Sequence, residues 1–119
     1  YLFTMHVNLD EDICNSVCVT EMSDDPMNYT GLKFSQWRMN IVNMIFPDDQ
    51  NLFLEYTDPE FLRNHLESRR STSIDCQMMN LEGKYIWVKL IFKKIAGTNK
   101  QVNLFVSFKQ RIKLCLNHT

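Results

Sequence analysis

The side chains in this sequence with the most chemistry to offer are four cysteines, three histidines and two Asp-Asp pairs. Cys14, Cys18, Cys76 and Cys115 include no Cys-x-x-Cys pair, and three lone histidines do not complete a set with zinc-ligand spacing. On a strand, Cys14 and Cys18 share a face but sit too far apart along it for an easy disulfide. Free thiols in a reducing cytoplasm fit this usage. Asp24-Asp25 falls in a loop and Asp48-Asp49 at a helix start. Neither is matched by a second acid or base in a plausible cleft. Ser35 and Thr57 suit helix caps better than they suit nucleophiles. No catalytic constellation emerges, so the chain reads as a non-enzyme.

Composition narrows the partners. A chain of 119 residues makes one domain and can bury one core without staples. Hydrophobic residues make up 45% and aromatics 12%, which argues against disorder. The formal net charge of −1 gives no general attraction to nucleic acid or to an acidic membrane surface. No apolar run approaches the roughly 20 residues needed to cross a bilayer. The apolar start lacks the basic flank and cleavage site of a signal peptide. The expected setting is cytoplasmic, with no nucleic acid bound and no direct membrane insertion.

The elements that would position these residues follow from periodicity. Tyr1, Phe3, Met5, Val7 and Leu9 alternate with Thr4, His6 and Asn8, the period of a half-buried strand. Ile13 to Thr20 reads as its hairpin partner, and Glu21 to Gly31 as loop. Ser35 is placed to cap the next helix, with Phe34 and Met39 at the spacing of a hydrophobic staple. Trp37, Ile41, Met44 and Ile45 give that helix one apolar face. Pro47 stops it and opens a second, where Asp48 and Asp49 complement the dipole and Leu52, Phe53 and Tyr56 face inward. Thr57-Asp58-Pro59-Glu60 has the form of a capping box for a third helix. Phe61, Leu62, His65 and Leu66 lie on its inner side, and Arg69 and Arg70 near its negative end. Ile74, Cys76 and Met78 then alternate as a strand, and Asn80 to Gly83 turns. Lys84 to Ile95 is the longest strand, with Ile86, Val88, Leu90 and Phe92 on one face and Tyr85, Trp87, Lys89, Ile91 and Lys93 on the other. Ala96 to Lys100 turns into a last strand carrying Val102, Leu104, Val106 and Phe108. This order predicts an α+β domain, a five-stranded antiparallel sheet with about three helices inserted between strands 2 and 3 and packed on one face.

Phe46-Pro47-Asp48-Asp49 between two helices, followed by Gly83-Lys84-Tyr85-Ile86-Trp87-Val88 opening the long strand, resembles a PAS domain. The likeness is closest to the PAS/PAC form of bacterial sensory proteins, diguanylate cyclases among them. Related sequences often carry His-Pro-Asp-Asp where Phe46 stands here, and Asp-Gly where Glu82-Gly83 stands. Both changes keep the local backbone reason for the motif. The resemblance spans nearly the whole chain and implies a sensory domain over residues 1–110. Residues 111–119, with the alternating Arg111-Ile112-Lys113-Leu114-Cys115-Leu116, would be a strand end or a linker to a covalently joined output domain. Such outputs include diguanylate cyclase and histidine kinase domains, and no motif of either occurs in this chain.

The resemblance also implies where ligands and partners go. A PAS cavity lies between the helices and the inner sheet face, where Met5, Trp37, Ile41, Phe61, Leu62, His65, Met78, Val88, Leu90 and Val106 would line it. A small apolar or aromatic molecule suits that lining, although the same residues equally serve to fill a core. Haem-binding relatives use a helical histidine as axial ligand. His65 is the one histidine read as helical, and its plainer role is a hydrogen-bonded boundary residue. The Asn-Cys-Arg-Phe-Leu-Gln type motif of flavin photosensors is missing, so no flavin is expected, and no cofactor is predicted. On the outer sheet face Tyr85, Trp87, Ile91 and Phe105 would form an apolar patch for a homodimer or a flanking helix. Lys89, Lys93 and Lys109 would interrupt it. Two further readings compete: a ligand-free dimerisation module, and a small cone-fold isomerase-like enzyme built around His65.

Overall fold

The structure, a computed structural model, describes residues 3–16, 31–95, 97–98 and 100–108. Tyr1, the end of the second predicted strand, most of the loop after it and the segment from Lys109 onward lie outside the described residues. So do Cys18, Cys115, Asp24-Asp25 and the expected exit segment.

The elements are β1 (Phe3–Asn8), β2 (Ile13–Ser16), β3 (Leu32–Lys33), α1 (Phe34–Val42), a 3-10 turn (Pro47–Asp49), α2 (Gln50–Tyr56), α3 (Pro59–His65), β4 (Ser71–Met79), β5 (Tyr85–Lys94) and β6 (Gln101–Phe108). All strand pairs are antiparallel, in the order β3-β2-β1-β6-β5-β4. The predicted α+β architecture holds, with a sheet of six strands rather than five. The extra one is a two-residue edge, Leu32–Lys33, paired to Cys14 and Ile13 just before α1. Two residues leave no periodicity to read in a sequence.

Alternation builds the core. Phe3, Met5, Val7 and Leu9 are buried, as are Ile74, Cys76 and Met78, Val88, Leu90 and Phe92, and Val102, Leu104 and Val106. Phe108 continues that face but stands 56% exposed at the end of its strand. From the helices, Phe34, Trp37, Ile41, Val42, Phe53, Leu62 and Leu66 close the same cluster.

Tertiary contacts revise several helix boundaries. Ser35 does not cap α1. The β1–β2 turn residue Asp12, held at φ 58°, does so from 23 residues upstream. Its backbone carbonyl accepts from Phe34 N–H at 3.1 Å, and its carboxylate accepts from Ser35 N–H at 2.8 Å and Ser35 Oγ–H at 2.6 Å. Phe34 is therefore the first helical residue, and Met39, 52% exposed, forms no staple with it. α1 also ends at Val42, before Pro47. Ile45 bridges Met78, Phe46 N–H donates to Gln77 O at 2.8 Å, and Met79 N–H donates to Met44 O at 2.8 Å. The residues ahead of Pro47 thus bind the free edge of β4, where backbone groups otherwise lack partners.

Asp49 follows the same logic. Its side chain accepts from Gln77 N–H at 2.9 Å and makes no cap bond to α2. At α3 the cap is Asp58, which accepts from Phe61 N–H at 3.1 Å, and Thr57 is buried instead. Arg63 and His65, not Arg69 and Arg70, occupy the last turn of α3. Arg63 donates to Leu9 O at 3.2 Å and lies 3.8 Å from Asp10, tying α3 to the first hairpin. At the β4–β5 turn, Asn80 Oδ1 accepts from Glu82 and Lys84 N–H, and Gly83 sits at φ 80°, a conformation glycine adopts without steric cost.

The Asp12 cap gives a test. Asp12→Ala removes the carboxylate contacts and places a Cβ-bearing residue without local hydrogen bonding at positive φ. It should cost about 1–2 kcal/mol in urea unfolding. Asp12→Asn tolerates that backbone and should retain most of the stability.

Candidate functional site

The candidate site is the apolar layer between the helices and the inner sheet face. Eight of the ten predicted pocket residues, Met5, Trp37, Ile41, Leu62, Met78, Val88, Leu90 and Val106, belong to one buried cluster. Phe61 packs against that cluster. His65 stands at its border: its ring stacks on Phe61 at 5.0 Å and 16°. Its Nε2 lies 3.0 Å from an Arg69 guanidinium nitrogen. Arginine only donates, so Nε2 is the acceptor in this contact. That contact engages the nitrogen that a haem iron would need.

The centre of the helical side is aromatic. Trp37 stacks on Phe34 with centroids 5.7 Å apart and meets Phe53 tilted at 6.1 Å. All three are essentially buried. Phe53 was readable as an inward residue and Phe34 as half of a hydrophobic staple, but neither as a neighbour of Trp37. Phe34 sits three residues before Trp37 on α1, a signal that was available; Phe53 arrives from α2, which spacing cannot reveal.

A polar junction holds this layer and has no sequence signature. Thr57, the one buried polar side chain among the described residues, donates from Oγ1 to Phe53 O at 2.7 Å. The same oxygen accepts from Arg38 Nε at 2.9 Å, and Arg38 also donates to Leu54 O at 2.6 Å. Burial pulls the Arg38 guanidinium down from its usual range, while Asp58 and Asp12 oppose that shift. The junction fixes α1 against the end of α2 and the start of α3.

The buried thiols are inert. Burial, helped by Asp12, pushes Cys14 up to about 11. Burial, then Asp49 and Asp75, pushes Cys76 up to about 12. Both lie on strands. Neither is a thiolate near neutral pH, the form that reacts. Among the described residues no three His, Cys, Asp or Glu side chains group as metal ligands. Ser35 and Asp12 meet as a helix cap without a histidine.

An open surface cleft of about 230 Å³ is lined by Glu67, Lys94, Gly97 and Thr98. It shares no residue with the core cluster, and Lys94 Nζ already donates to Leu66 O at 2.8 Å.

The outer face carries the second predicted group. Ile91 and Phe105 are direct cross-strand partners, and Lys93 Nζ lies 5.5 Å from the Phe105 ring centre. Trp87 is half-buried opposite Gln77. Tyr85 is 39% exposed and meets Phe46 edge-on at 5.0 Å. Lys89 stands between Trp87 and Ile91, opposite Asp75 and Ser107. The four residues therefore share a face, divided by one lysine. Lys109 lies outside the described residues.

The sequence matches no family model and no curated protein. Solved structures do match its fold. One is a sensory box histidine kinase/response regulator from Burkholderia thailandensis, 15% identical, with a TM-score of 0.57 over 98% of this chain and 82% of that one. Another is the N-terminal domain of a diguanylate cyclase with PAS/PAC sensor from Marinobacter aquaeolei, 13% identical, with a TM-score of 0.57 over 98% of each chain. A third, an RNA-binding light-oxygen-voltage receptor, is 8% identical, with a TM-score of 0.62 over 98% of this chain and 30% of that one. The chain has the fold of a PAS domain. Among the described residues no helix is long and apolar enough to cross a membrane.

The thiols make the pH dependence testable. Cys14 and Cys76 are raised in the folded state above the ordinary value of 9.0. The folded protein therefore holds their protons where the unfolded chain releases them. Their contribution is complete below about pH 9 and declines as pH rises toward 11 and 12. Urea midpoints should fall between pH 9 and 11, and the Cys14→Ala/Cys76→Ala variant should show a shallower fall. Parallel slopes would mean that other groups carry the effect.

Proposed function

We propose that this chain is a cytoplasmic sensory domain of a bacterial signal-transduction protein. It binds a small apolar or aromatic ligand between its helices and its inner sheet face. It relays the change to an output domain such as a diguanylate cyclase or a histidine kinase, and is itself non-catalytic. The observation that carries this reading is the likeness, over nearly the whole of both chains, to a diguanylate cyclase PAS/PAC sensor domain. The buried site supports it: its lining is apolar and aromatic, with methionines that repack at low cost. Haem ligation by His65 is the less favoured version, given the Arg69 contact on Nε2.

A ligand-free dimerisation module is the second reading. Its support is the outer face, where Trp87, Ile91 and Phe105 present apolar surface on adjacent strands. An isomerase-like enzyme finds no support in the strand and helix order or in the setting of His65.

Native mass spectrometry distinguishes these readings. A reproducible added mass on the purified protein is expected for a ligand sensor, and a bare dimer for an assembly module. A bare monomer would count against both. Trp87→Glu should convert a dimer to monomer, because it places a charge at the centre of the apolar face. An undiminished dimer would exclude that face as the interface.

A further inference from the structure

One buried donor in the core has no acceptor among the described residues. The indole N–H of Trp37 is buried, the residue being 1% exposed, and among the described residues no hydrogen-bond partner lies within reach of Nε1. Buried donors are almost always satisfied, so each exception calls for a physical reason. Among the described residues no side chain supplies one. Thr57, the buried polar side chain of this layer, is already committed to Phe53 O and to Arg38. A single trapped water is a poor answer too. Buried waters typically hold about three hydrogen bonds. This one would meet Trp37 beside the rings of Phe34 and Phe53, and the one buried polar side chain among the described residues, Thr57, already holds Phe53 O and Arg38.

A molecule that is apolar over most of its surface and carries one hydrogen-bond acceptor satisfies the donor without that penalty. It brings its own hydrophobic body, and it leaves no second polar atom unmatched. We propose that Trp37 is the specificity-determining donor of the site, selecting ligands with a single carbonyl-type acceptor on an apolar or aromatic frame. This rests on the ligand-sensing reading above and adds to it the chemical class of the ligand. Met5 and Met78, in the same cluster, are the side chains best suited to yield space.

The test compares acetophenone with ethylbenzene, which have similar shapes and differ in a carbonyl oxygen. The readout is the pair of indole N–H resonances in a ¹H–¹⁵N spectrum, assigned with Trp37→Phe, since the chain has two tryptophans. Acetophenone should move the Trp37 resonance downfield and bind about fivefold tighter than ethylbenzene, the worth of one net hydrogen bond. In Trp37→Phe the two probes should bind equally. Equal affinities in the parent protein, with the Trp37 resonance unmoved by the carbonyl, would overturn the donor role and leave ligand sensing standing. Failure of both probes to bind would overturn ligand sensing at this site along with it. Should Trp37→Phe fail to fold, the parent comparison and Trp87→Phe, which assigns the other resonance, decide the matter alone.

Discussion

The apolar inner face of the sheet has to be covered, and the rest of the structure follows from that requirement. Alternate residues on β1, β4, β5 and β6 place a continuous layer of Met, Val, Leu, Ile and Phe on one side. Left in water, that layer would forgo about 25 cal/mol for every Å² of apolar surface. The covering helices have nine, seven and seven residues. Helices this short are marginal alone, so their order comes from docking rather than from propensity. Trp37, Phe34 and Phe53 supply the bulk on the helical side, and Leu62 and Leu66 close it beside them.

Docking alone does not fix where short helices start and stop. Polar tethers do that, and three of them are aspartates. Asp12 reaches from the first hairpin to the start of α1. Asp49 reaches from the 3-10 turn to the edge of β4. Asp58 caps α3 locally. Each carboxylate accepts from a backbone N–H that would otherwise lack a partner, a charge-assisted bond stronger than a neutral one. These three carboxylates are thereby committed to the backbone. The Arg38–Thr57 junction is spent on helix ends.

The same division explains the character of the site. Its lining is apolar, its thiols are held protonated by burial, and its border histidine is engaged by Arg69. A thiol held protonated by burial is a poor nucleophile near neutral pH, and under the proposed reading shape and a single donor would discriminate between small molecules. The outer face offers the complementary surface. Apolar residues sit on neighbouring strands, and Lys89 and Lys93 set limits to the patch.

Periodicity determined a great deal of this protein directly. The inward residues of β1, β4, β5 and most of β6 were legible because a strand has a period of two. The inward positions of the helices were legible because theirs is near 3.6. Glycine chemistry marked the turn at Gly83 for the same local reason. What stayed hidden were interactions between residues distant in sequence. Asp12 displaced Ser35 as a cap, the β4 edge drew Ile45 and Phe46 out of the helix, and Thr57 left its capping box to meet Arg38. Spacing encodes what lies along one helix or strand. Which orphan backbone group meets which carboxylate is decided only when the sheet and helices come together. The amino-acid sequence thus determined the layers and their apolar faces. The tertiary structure alone decided where each helix ends, which acid caps it, and that Trp37 holds a buried donor without an acceptor among the described residues.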